Sequence, residues 1–322
     1  MFPARFLAWT LIVLFIPTLL DARSVKVSVP AQSISHIAFY AAKGRGFYRD
    51  EGLDVDLILM NAGVALRALI GGDVDFTTVG TSGVVPIIRG APLKFLFLSF
   101  SRPIHWLYAR PDIADVKALK GKKVATSGIG GVSDVLFKSV LKAHGLEGGQ
   151  NLNIISIGVA STRYAALVSG AVDATPLTFP HNLMAQEGGF RELVDFTKLD
   201  LLDITGSIIV PDALLRSDRL LVEKFTRASL KGFLYARENR VGTVSIVARN
   251  LGIKEDMAAK ILDLSKPAMT LDGTVTKELE KRIVDDALGR AGLKEAPSLD
   301  RVFDFSLLRK IRGELEAGGW RP

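Results

Sequence analysis

The chain has 322 residues, of which 48% are hydrophobic and 23% charged, and it contains four histidines and no cysteine. This composition excludes a disulfide scaffold, a cysteine-based zinc site, a thiol nucleophile and a lipid-anchored lipoprotein, and it argues against a multi-histidine metal centre. A chain of this length exceeds the usual size of a single core, so two domains are expected.

The net charge is +7, and removing the first 22 residues does not change it, because they carry only Arg5 and Asp21 as charges. Basic residues are scattered singly or in pairs such as Lys122-Lys123, without the interleaved aromatic residues of a nucleic-acid surface. We therefore expect no nucleic-acid partner, and a positive field that weakly favours anionic small molecules.

The N-terminus has the layout of a secretory signal. Met1 to Arg5 is a short basic start, Phe6 to Leu20 is an almost uninterrupted apolar run, and Asp21, Ala22 and Arg23 follow. The run is too short for a comfortable membrane span, so cleavage after Ala22 is predicted, with an uncleaved anchor as the alternative. The protein should then be exported, to the periplasm in a two-membrane bacterium.

Hydrophobic periodicity predicts alternating strands and helices up to residue 211 and helices alone after it. The predicted strands are 24–29, 53–60, 74–79, 94–100, 105–110, 123–126, 153–157, 172–175 and 207–210. The predicted helices are 35–48, 64–70, 132–144, 162–169, 183–187, 218–238, 243–251, 255–265, 275–291 and 305–317, with Ser217 as the N-cap of the helix over 218–238. This order implies an α/β protein with two mostly parallel sheets, joined by short segments near 107–112 and 206–211.

Four segments carry a family resemblance. The first is Ala-x-x-x-Gly-Phe-Tyr-x-x-Glu-Gly-Leu-Asp-Val, at Ala42 and 46–55. The pattern Ala-Leu-x-x-Gly-x-Val-Asp occurs twice, within 68–76 and within 165–174, and Leu-Lys-Gly-Lys-Lys-Val lies at 119–124. Each copy of the repeated pattern predicts a helix that ends at a glycine in the left-handed conformation, followed by an Asp and a strand. Together they resemble the substrate-binding proteins of ABC importers of the nitrate/taurine/sulfonate type, which are related to the thiamine-pyrimidine (NMT1/THI5-like) proteins.

The resemblance implies the two-lobed type II periplasmic-binding-protein fold. Lobe one would comprise residues 23–110 and 211–322, including the helical C-terminal tail, and lobe two residues 111–210. The lobes would close over one solute by a hinge motion, and the protein would deliver it to a membrane permease and its ATPase. It would act as a monomer without metal or cofactor and would catalyse no reaction.

Ligand-binding residues are expected in four loops at the carboxyl ends of strands, where helix N-termini offer unpaired amides. These loops are 32–36, 80–83, 127–133 and 176–181. The predicted contacts in them are Ser33, Ser35 and His36; Thr81 and Ser82; Ser127, Gly130 and Ser133; and Thr178, Phe179 and His181. The alternative for the hydroxyl residues is helix capping alone, and for the fourth loop a packed surface corner. The third loop lacks the Lys and the Ser/Thr of a phosphate-binding loop.

Arg102 is a further predicted contact, because a guanidinium after the strand over 94–100 could bind a carboxylate or sulfonate in a bidentate manner. The alternative is a solvated turn arginine, and Arg163 carries the same two interpretations. The four loops contain no acidic residue before Asp134, which favours a small organic anion, a sulfonate or an aromatic or aliphatic carboxylate, over a neutral pyrimidine.

One other function stays open, and a second is disfavoured. A sensor that presents the bound solute to a membrane kinase would need the same lobes. An enzyme of the thiamine-pyrimidine synthase kind is disfavoured, because that role depends on a cysteine-rich motif and iron.

Overall fold

The computed structural model describes residues 22–146 and 152–322. The predicted leader lies outside the described residues, apart from Ala22. Among the residues that are described, no helix is both long and apolar enough to cross a membrane.

The described chain alternates strands and helices as far as Pro211. The strands are β1 (Arg23–Val29), β2 (Leu53–Leu59), β3 (Phe76–Thr77), β4 (Leu93–Phe100), β5 (His105–Ala109), β6 (Lys123–Thr126), β7 (Asn153–Ser156), β8 (Ala174–Thr178), β9 (Arg191–Asp195) and β10 (Thr205–Pro211). The helices are α1 (Ile37–Arg45), α2 (Phe47–Asp50), α3 (Ala62–Gly71), α4 (Val84–Ile88), α5 (Val132–Ala143), α6 (Ala160–Val168), α7 (His181–Glu187), α8 (Asp212–Ser217), α9 (Arg219–Glu238), α10 (Arg240–Leu251), α11 (Glu255–Ser265), α12 (Lys277–Ala291), α13 (Leu299–Val302) and α14 (Ser306–Ala317).

In the part of the chain that the structure describes, two five-stranded sheets form the two lobes of an α/β fold. Their strand orders are β2-β1-β3-β10-β4 and β7-β6-β8-β5-β9. In the first sheet β1 is parallel to β2 and β3, and in the second β6 is parallel to β7 and β8. Strand β10 is antiparallel to both of its neighbours, and so is β5. Each sheet therefore has four strands in one direction and one reversed strand.

The reversed strands are those that arrive directly from the other lobe. The chain leaves β4 and crosses at 101–104 into β5, and it leaves the second lobe through 199–204 into β10. The carboxyl ends of the other strands in each sheet face the opposite lobe. A chain that crosses from that lobe therefore enters the sheet at these ends, and the strand that it forms is antiparallel to its neighbours. The predicted boundaries at 110/111 and 210/211 are wrong for both strands, since β5 pairs in the second sheet and β10 in the first.

The hydrophobic core of the first lobe continues through the crossing. Trp106, Leu177 and Phe179 of the second lobe belong to the same buried cluster as the first sheet. A smaller separate cluster around Leu107 and Phe137 fills the rest of the second lobe. The two lobes thus share a packed base beside the crossing segments.

The helical tail begins near the predicted positions, but its cap differs. Asp218 caps α9 by accepting a hydrogen bond from the Leu221 amide, whereas Ser217 is the last residue of α8. Asp218 takes the cap because a short helix already uses the residues before it. The prediction of Ser217 as the cap is wrong by one residue.

Candidate functional site

A cavity of about 480 Å³ lies between the lobes, next to both crossing segments. First-lobe residues that line it are Pro30, Ala31, Ser33, Ser35, His36, Asn61, Ala62, Gly63, Thr78, Val79, Ser82 and Thr205. Second-lobe residues that line it are His105, Ser127, Gly128, Ile129, Gly131, Val132, Ser133, Ser156, Gly158, Val159, Ala160, Arg163 and Thr178. The volume falls within the range of about 300–1,000 Å³ that is usual for small-molecule sites.

The first predicted loop lines the cavity. Ser33 caps a 3-10 turn over Ile34–His36, and its hydroxyl accepts a hydrogen bond from the Ser35 amide at 3.3 Å. The Ser33 and Ser35 hydroxyl oxygens lie 3.1 Å apart. The two predicted roles, cap and cavity wall, therefore occur together at Ser33.

The second and third loops meet across the cavity, where the Ser82 hydroxyl lies 3.4 Å from the carbonyl oxygen of Gly130. Ser127, Ser133 and Ser82 line the cavity as predicted, although the Ser133 hydroxyl also accepts the Ser127 amide at 2.7 Å. Gly130 is not among the lining residues. Its amide donates to the buried carboxylate of Asp134 at 2.9 Å and is therefore already paired within the loop.

Four other predicted contacts also lie away from the cavity. The Thr81 hydroxyl binds the Asp203 carboxylate at 2.9 Å, behind the wall. Phe179 is fully buried against Trp106, with 4.7 Å between ring centroids. His181 packs beside Tyr164, and Arg102 is exposed on the surface. Of the fourth loop only Thr178 lines the cavity, because the loop turns its aromatic side chain into the shared base.

Two further loops and two strand starts line the cavity but are not predicted from the sequence. Asn61 follows β2, and the segment 158–160 follows β7, whose last residue Ser156 also lines the cavity, so a search at the carboxyl ends of the strands would have found both. His105 and Thr205 are the first residues of the reversed strands β5 and β10. The sequence pattern does not predict that His105 and Thr205 line the cavity. Contacts were expected only after the carboxyl ends of strands, and in a reversed strand it is the first residue that lies at that edge of the sheet.

Arg163 on α6 is the only charged residue among the described residues that line the cavity. Its guanidinium is buried and donates to the carbonyl oxygens of Pro176, at 3.1 and 3.3 Å, and of Gly158. Burial lowers the pKa of Arg163 to about 10, so the group stays cationic at neutral pH. A guanidinium has five N–H donors, and three contacts to carbonyl oxygens leave donors for a solute.

The two imidazoles in the wall are neutral at physiological pH. Burial lowers the pKa of His36 to about 3. Burial also lowers the pKa of His105 to about 3, with a further contribution from the positive charge of Arg163. The described wall therefore combines one buried positive charge with neutral hydroxyl, amide and imidazole groups. Such a wall can bind a single negative charge and hydrogen-bond the atoms around it.

A sequence profile of the family described as NMT1/THI5 like matches residues 33–241. The chain belongs to this family. The match runs from the first predicted loop, after β1, to the start of α10 and includes the whole described second lobe. It confirms the resemblance found in the sequence motifs.

Two curated relatives are similar over part of their length. The chain is 25% identical over 177 residues to a putative binding protein, YtlA, of Bacillus subtilis, covering 53% of this chain and 53% of that protein. It is 27% identical over 224 residues to the riboflavin-binding protein RibY of Chloroflexus aurantiacus, covering 67% of this chain and 62% of that protein. The matches thus span little more than half the length of these relatives.

Solved structures confirm the two-lobed fold. The aliphatic sulphonate-binding protein SsuA of Escherichia coli superposes with a TM-score of 0.65 at 19% identity, covering 87% of this chain and 91% of that one. The nitrate-binding protein NrtA of Synechocystis PCC 6803 gives a TM-score of 0.71 at 17% identity, covering 92% and 90%. The desulfurization enzyme DSZB gives 0.65 at 18% identity, covering 91% and 99%. At these identities the likeness concerns the fold.

Proposed function

We propose that this protein is the periplasmic solute-binding component of an ABC import system, and that it takes a small organic anion, a sulfonate or a carboxylate, between its two lobes. The observation that carries the proposal is Arg163, a buried guanidinium that lines the cavity, donates to carbonyl oxygens and forms no ion pair with a carboxylate of the described residues. A buried cation without a counter-ion is costly, and an anionic solute would supply the missing charge.

The size and chemistry of the cavity narrow the solute class. About 480 Å³ is far more than a nitrate ion fills, which favours an anion with an organic body. No acidic residue occurs among the described lining residues, which disfavours a cationic solute or a neutral pyrimidine that needs a carboxylate partner. Phe179 is fully buried and offers no aromatic surface to the solute, so an aliphatic body is as well supported as an aromatic one.

The transport role is supported by the family and by the names of its relatives. Two relatives and two of the superposed structures are named as binding proteins, and SsuA and NrtA are named as periplasmic. Export through the predicted leader, binding as a monomer without a cofactor, and delivery to a permease and its ATPase are all part of the proposal. A sensor role would use the same cavity, and a permease and ATPase encoded beside the gene would favour import.

Catalysis is the second candidate, because DSZB has the same fold and is named as an enzyme. Incubating the protein with each stabilising solute and following the solute by mass spectrometry separates the two roles. A binding protein returns the solute unchanged, whereas accumulation of a product with time would contradict the proposal.

The first prediction concerns Arg163. In a thermal-shift screen with ethanesulfonate, butanesulfonate, hexanoate, phenylacetate and their neutral amides, at least one anion should raise the melting temperature and its amide should not. A ligand at 100 times its Kd stabilises the native state by about 2.7 kcal/mol. Arg163→Gln should abolish the shift, because it removes the positive charge from the wall.

Two variants serve as controls for that screen. Arg102→Ala removes an exposed guanidinium and should keep the full shift. Arg163→Lys keeps the charge but not the planar donors, and it should retain a weakened shift, which would show that Arg163→Gln does not act through misfolding alone. An unchanged shift in folded Arg163→Gln, or equal stabilisation by the neutral amides, would contradict an anion site.

A further inference from the structure

A second buried pair of titratable groups lies at the base of the cavity. His105 is the first residue after the crossing 101–104, and Asp203 lies in the other crossing, 199–204. The distance from His105 Nδ1 to Asp203 Oδ2 is 3.7 Å. Neither atom has a hydrogen-bond partner among the described residues. The pair thus joins the two segments that connect the lobes.

The other atoms of the pair have separate surroundings. Asp203 Oδ1 accepts a hydrogen bond from the Thr81 hydroxyl at 2.9 Å, and that hydroxyl accepts the Ile204 amide at 3.0 Å. His105 lines the cavity while its Nδ1 is buried towards Asp203, so Nε2 is the ring nitrogen on the cavity side. Two buried polar atoms without partners are costly, and a small side-chain rotation would bring Nδ1 and Oδ2 within bonding distance of each other.

Burial keeps both groups neutral over part of the pH range. It raises the pKa of Asp203 to about 7, against the lowering effects of the Thr81 hydrogen bond and of the charge of Arg290. It lowers the pKa of His105 to about 3, together with the charge of Arg163. The imidazole therefore stays neutral while the carboxyl group gains or loses its proton.

A neutral imidazole has a single N–H, and the state of the carboxyl group decides where it lies. An ionised carboxylate accepts from Nδ1–H and leaves a lone pair on Nε2. A protonated carboxyl group donates to Nδ1, so the ring proton lies on Nε2. One proton on Asp203 thus reverses the hydrogen-bonding character of the cavity side of His105.

We propose that Asp203 sets the tautomer of His105 and thereby decides whether the cavity wall accepts or donates a hydrogen bond at that point. The part that concerns the solute rests on the proposed function. With Asp203 ionised, the site would favour an anion that also carries a hydroxyl, amine or amide N–H. With Asp203 protonated, it would favour a solute that presents an acceptor to Nε2–H.

The tautomer can be read without any solute. The full chain, labelled with ¹⁵N-histidine, has four histidines, and His105→Gln assigns the His105 signals. Long-range ¹H–¹⁵N spectra between pH 5 and 9 distinguish the Nδ1–H and Nε2–H forms. In the unmodified protein the His105 signals should change from mostly Nε2–H at pH 5 to mostly Nδ1–H at pH 9, without the ring becoming charged.

Two variants make the test specific. Asp203→Asn keeps the shape and the hydrogen bond with Thr81 but cannot ionise, so the pH-dependent change should disappear. Asp195→Asn is the matched control, because the Asp195 carboxylate binds Thr197 and Lys198 in the second lobe and does not line the cavity. It should leave the His105 spectrum unchanged.

Three results would overturn the inference: a single His105 tautomer from pH 5 to 9, a pH-dependent change that survives in Asp203→Asn, or a change that Asp195→Asn abolishes equally. None of them depends on solute binding. Failure here is therefore distinguishable from failure of the anion site, which Arg163→Gln tests separately.

Discussion

Burial determines the charge state of each titratable residue in the cavity wall. His36 is 2% exposed and Arg163 is 3% exposed. Desolvation disfavours the charged form of both, but their ordinary pKa values differ by about six units, so the same effect has opposite outcomes at neutral pH. The imidazole becomes a neutral hydrogen-bonding group, and the guanidinium stays charged. The result is a cavity whose described lining residues carry one positive charge.

The low pKa of His36 predicts an acid-sensitive native state. Unfolded His36 takes a proton near pH 6.5, whereas the folded pKa is about 3. Its contribution to stability is therefore complete above pH 6.5 and is lost as the pH falls towards 3. His36→Gln should flatten the decline in the free energy of unfolding over this window, measured by urea titration at a series of pH values.

The exposed imidazole of His144 provides the control for that measurement. His144→Gln should leave the pH dependence as it is in the unmodified protein. Equal slopes for His36→Gln and the unmodified chain would show that His36 does not contribute to the acid sensitivity of the folded state.

At the scale of elements, the repeated sequence pattern has a structural role. Asp75, before β3, accepts the Lys26 amide on its carboxylate at 2.8 Å and donates its own amide to the Lys26 carbonyl at 2.9 Å. Asp173, before β8, makes the same two contacts with Lys123, at 2.8 Å each. The repeat therefore fixes a helix-to-strand connection in each lobe.

The glycines of the repeat behave as the sequence predicted. Gly72, after α3, and Gly170, shortly after α6, both have a positive φ, of 82° and 72°. A residue in the left-handed conformation at a helix end is most often glycine. The repeated sequence pattern therefore reflects the same turn in both lobes. Neither the Asp75 nor the Asp173 carboxylate lines the cavity.

At Gly206, the second residue of β10, both the backbone conformation and a close backbone contact require glycine. Its φ is +60°, and a Cβ placed on it would overlap the carbonyl oxygen of Ser35 in the cavity wall. Gly206→Ala should lower the free energy of unfolding by strain and by displacement of the Ser35 backbone, each of order 1–3 kcal/mol. Equilibrium unfolding in urea measures the loss.

Gly252 is the matched control for Gly206, because its φ is +66° and nothing lies within 4 Å of an added Cβ. Gly252→Ala bears only the conformational strain. The difference between the two variants isolates the close approach of β10 to the first loop, and equal losses would show that this approach is not tight.

For the whole molecule, the shared hydrophobic base limits how the lobes can move. Trp106 and Phe179 pack together beside both crossings and belong to the core of the first lobe. Opening of the lobes should therefore occur by rotation about the two crossings while this base stays packed. The cavity wall that faces away from the base, including the 92% exposed Ile129, is the part expected to move most.

We expect the predicted leader to direct export of the whole chain. When the full chain is produced in a two-membrane bacterium, the periplasmic fraction should contain a protein that begins at Arg23, as intact-mass spectrometry would show. A chain without residues 1–22 should stay in the cytoplasm. Recovery of the full-length mass in the membrane fraction would instead support the uncleaved anchor.

Local sequence patterns were sufficient to predict the family, the alternation of strands and helices, and most of the hydroxyl residues of the wall. These are local properties: periodicity marks the strands, and the residues after a strand that runs in the common direction lie at one edge of the sheet. Ser33, Ser82, Ser127 and Thr178 were predicted in this way and line the cavity.

Which charged group and which imidazoles face the cavity depends on packing between elements that are distant in sequence. Arg102 and Arg163 were both candidates for the cationic contact. Arg102 is exposed, whereas Arg163 is buried in the cavity wall. The burial of a side chain depends on residues distant in sequence, so the local pattern does not distinguish the two. His105 and Thr205 enter the wall because their strands are reversed after each crossing. The direction of a strand depends on which sheet it joins, and that is decided by packing across the whole chain.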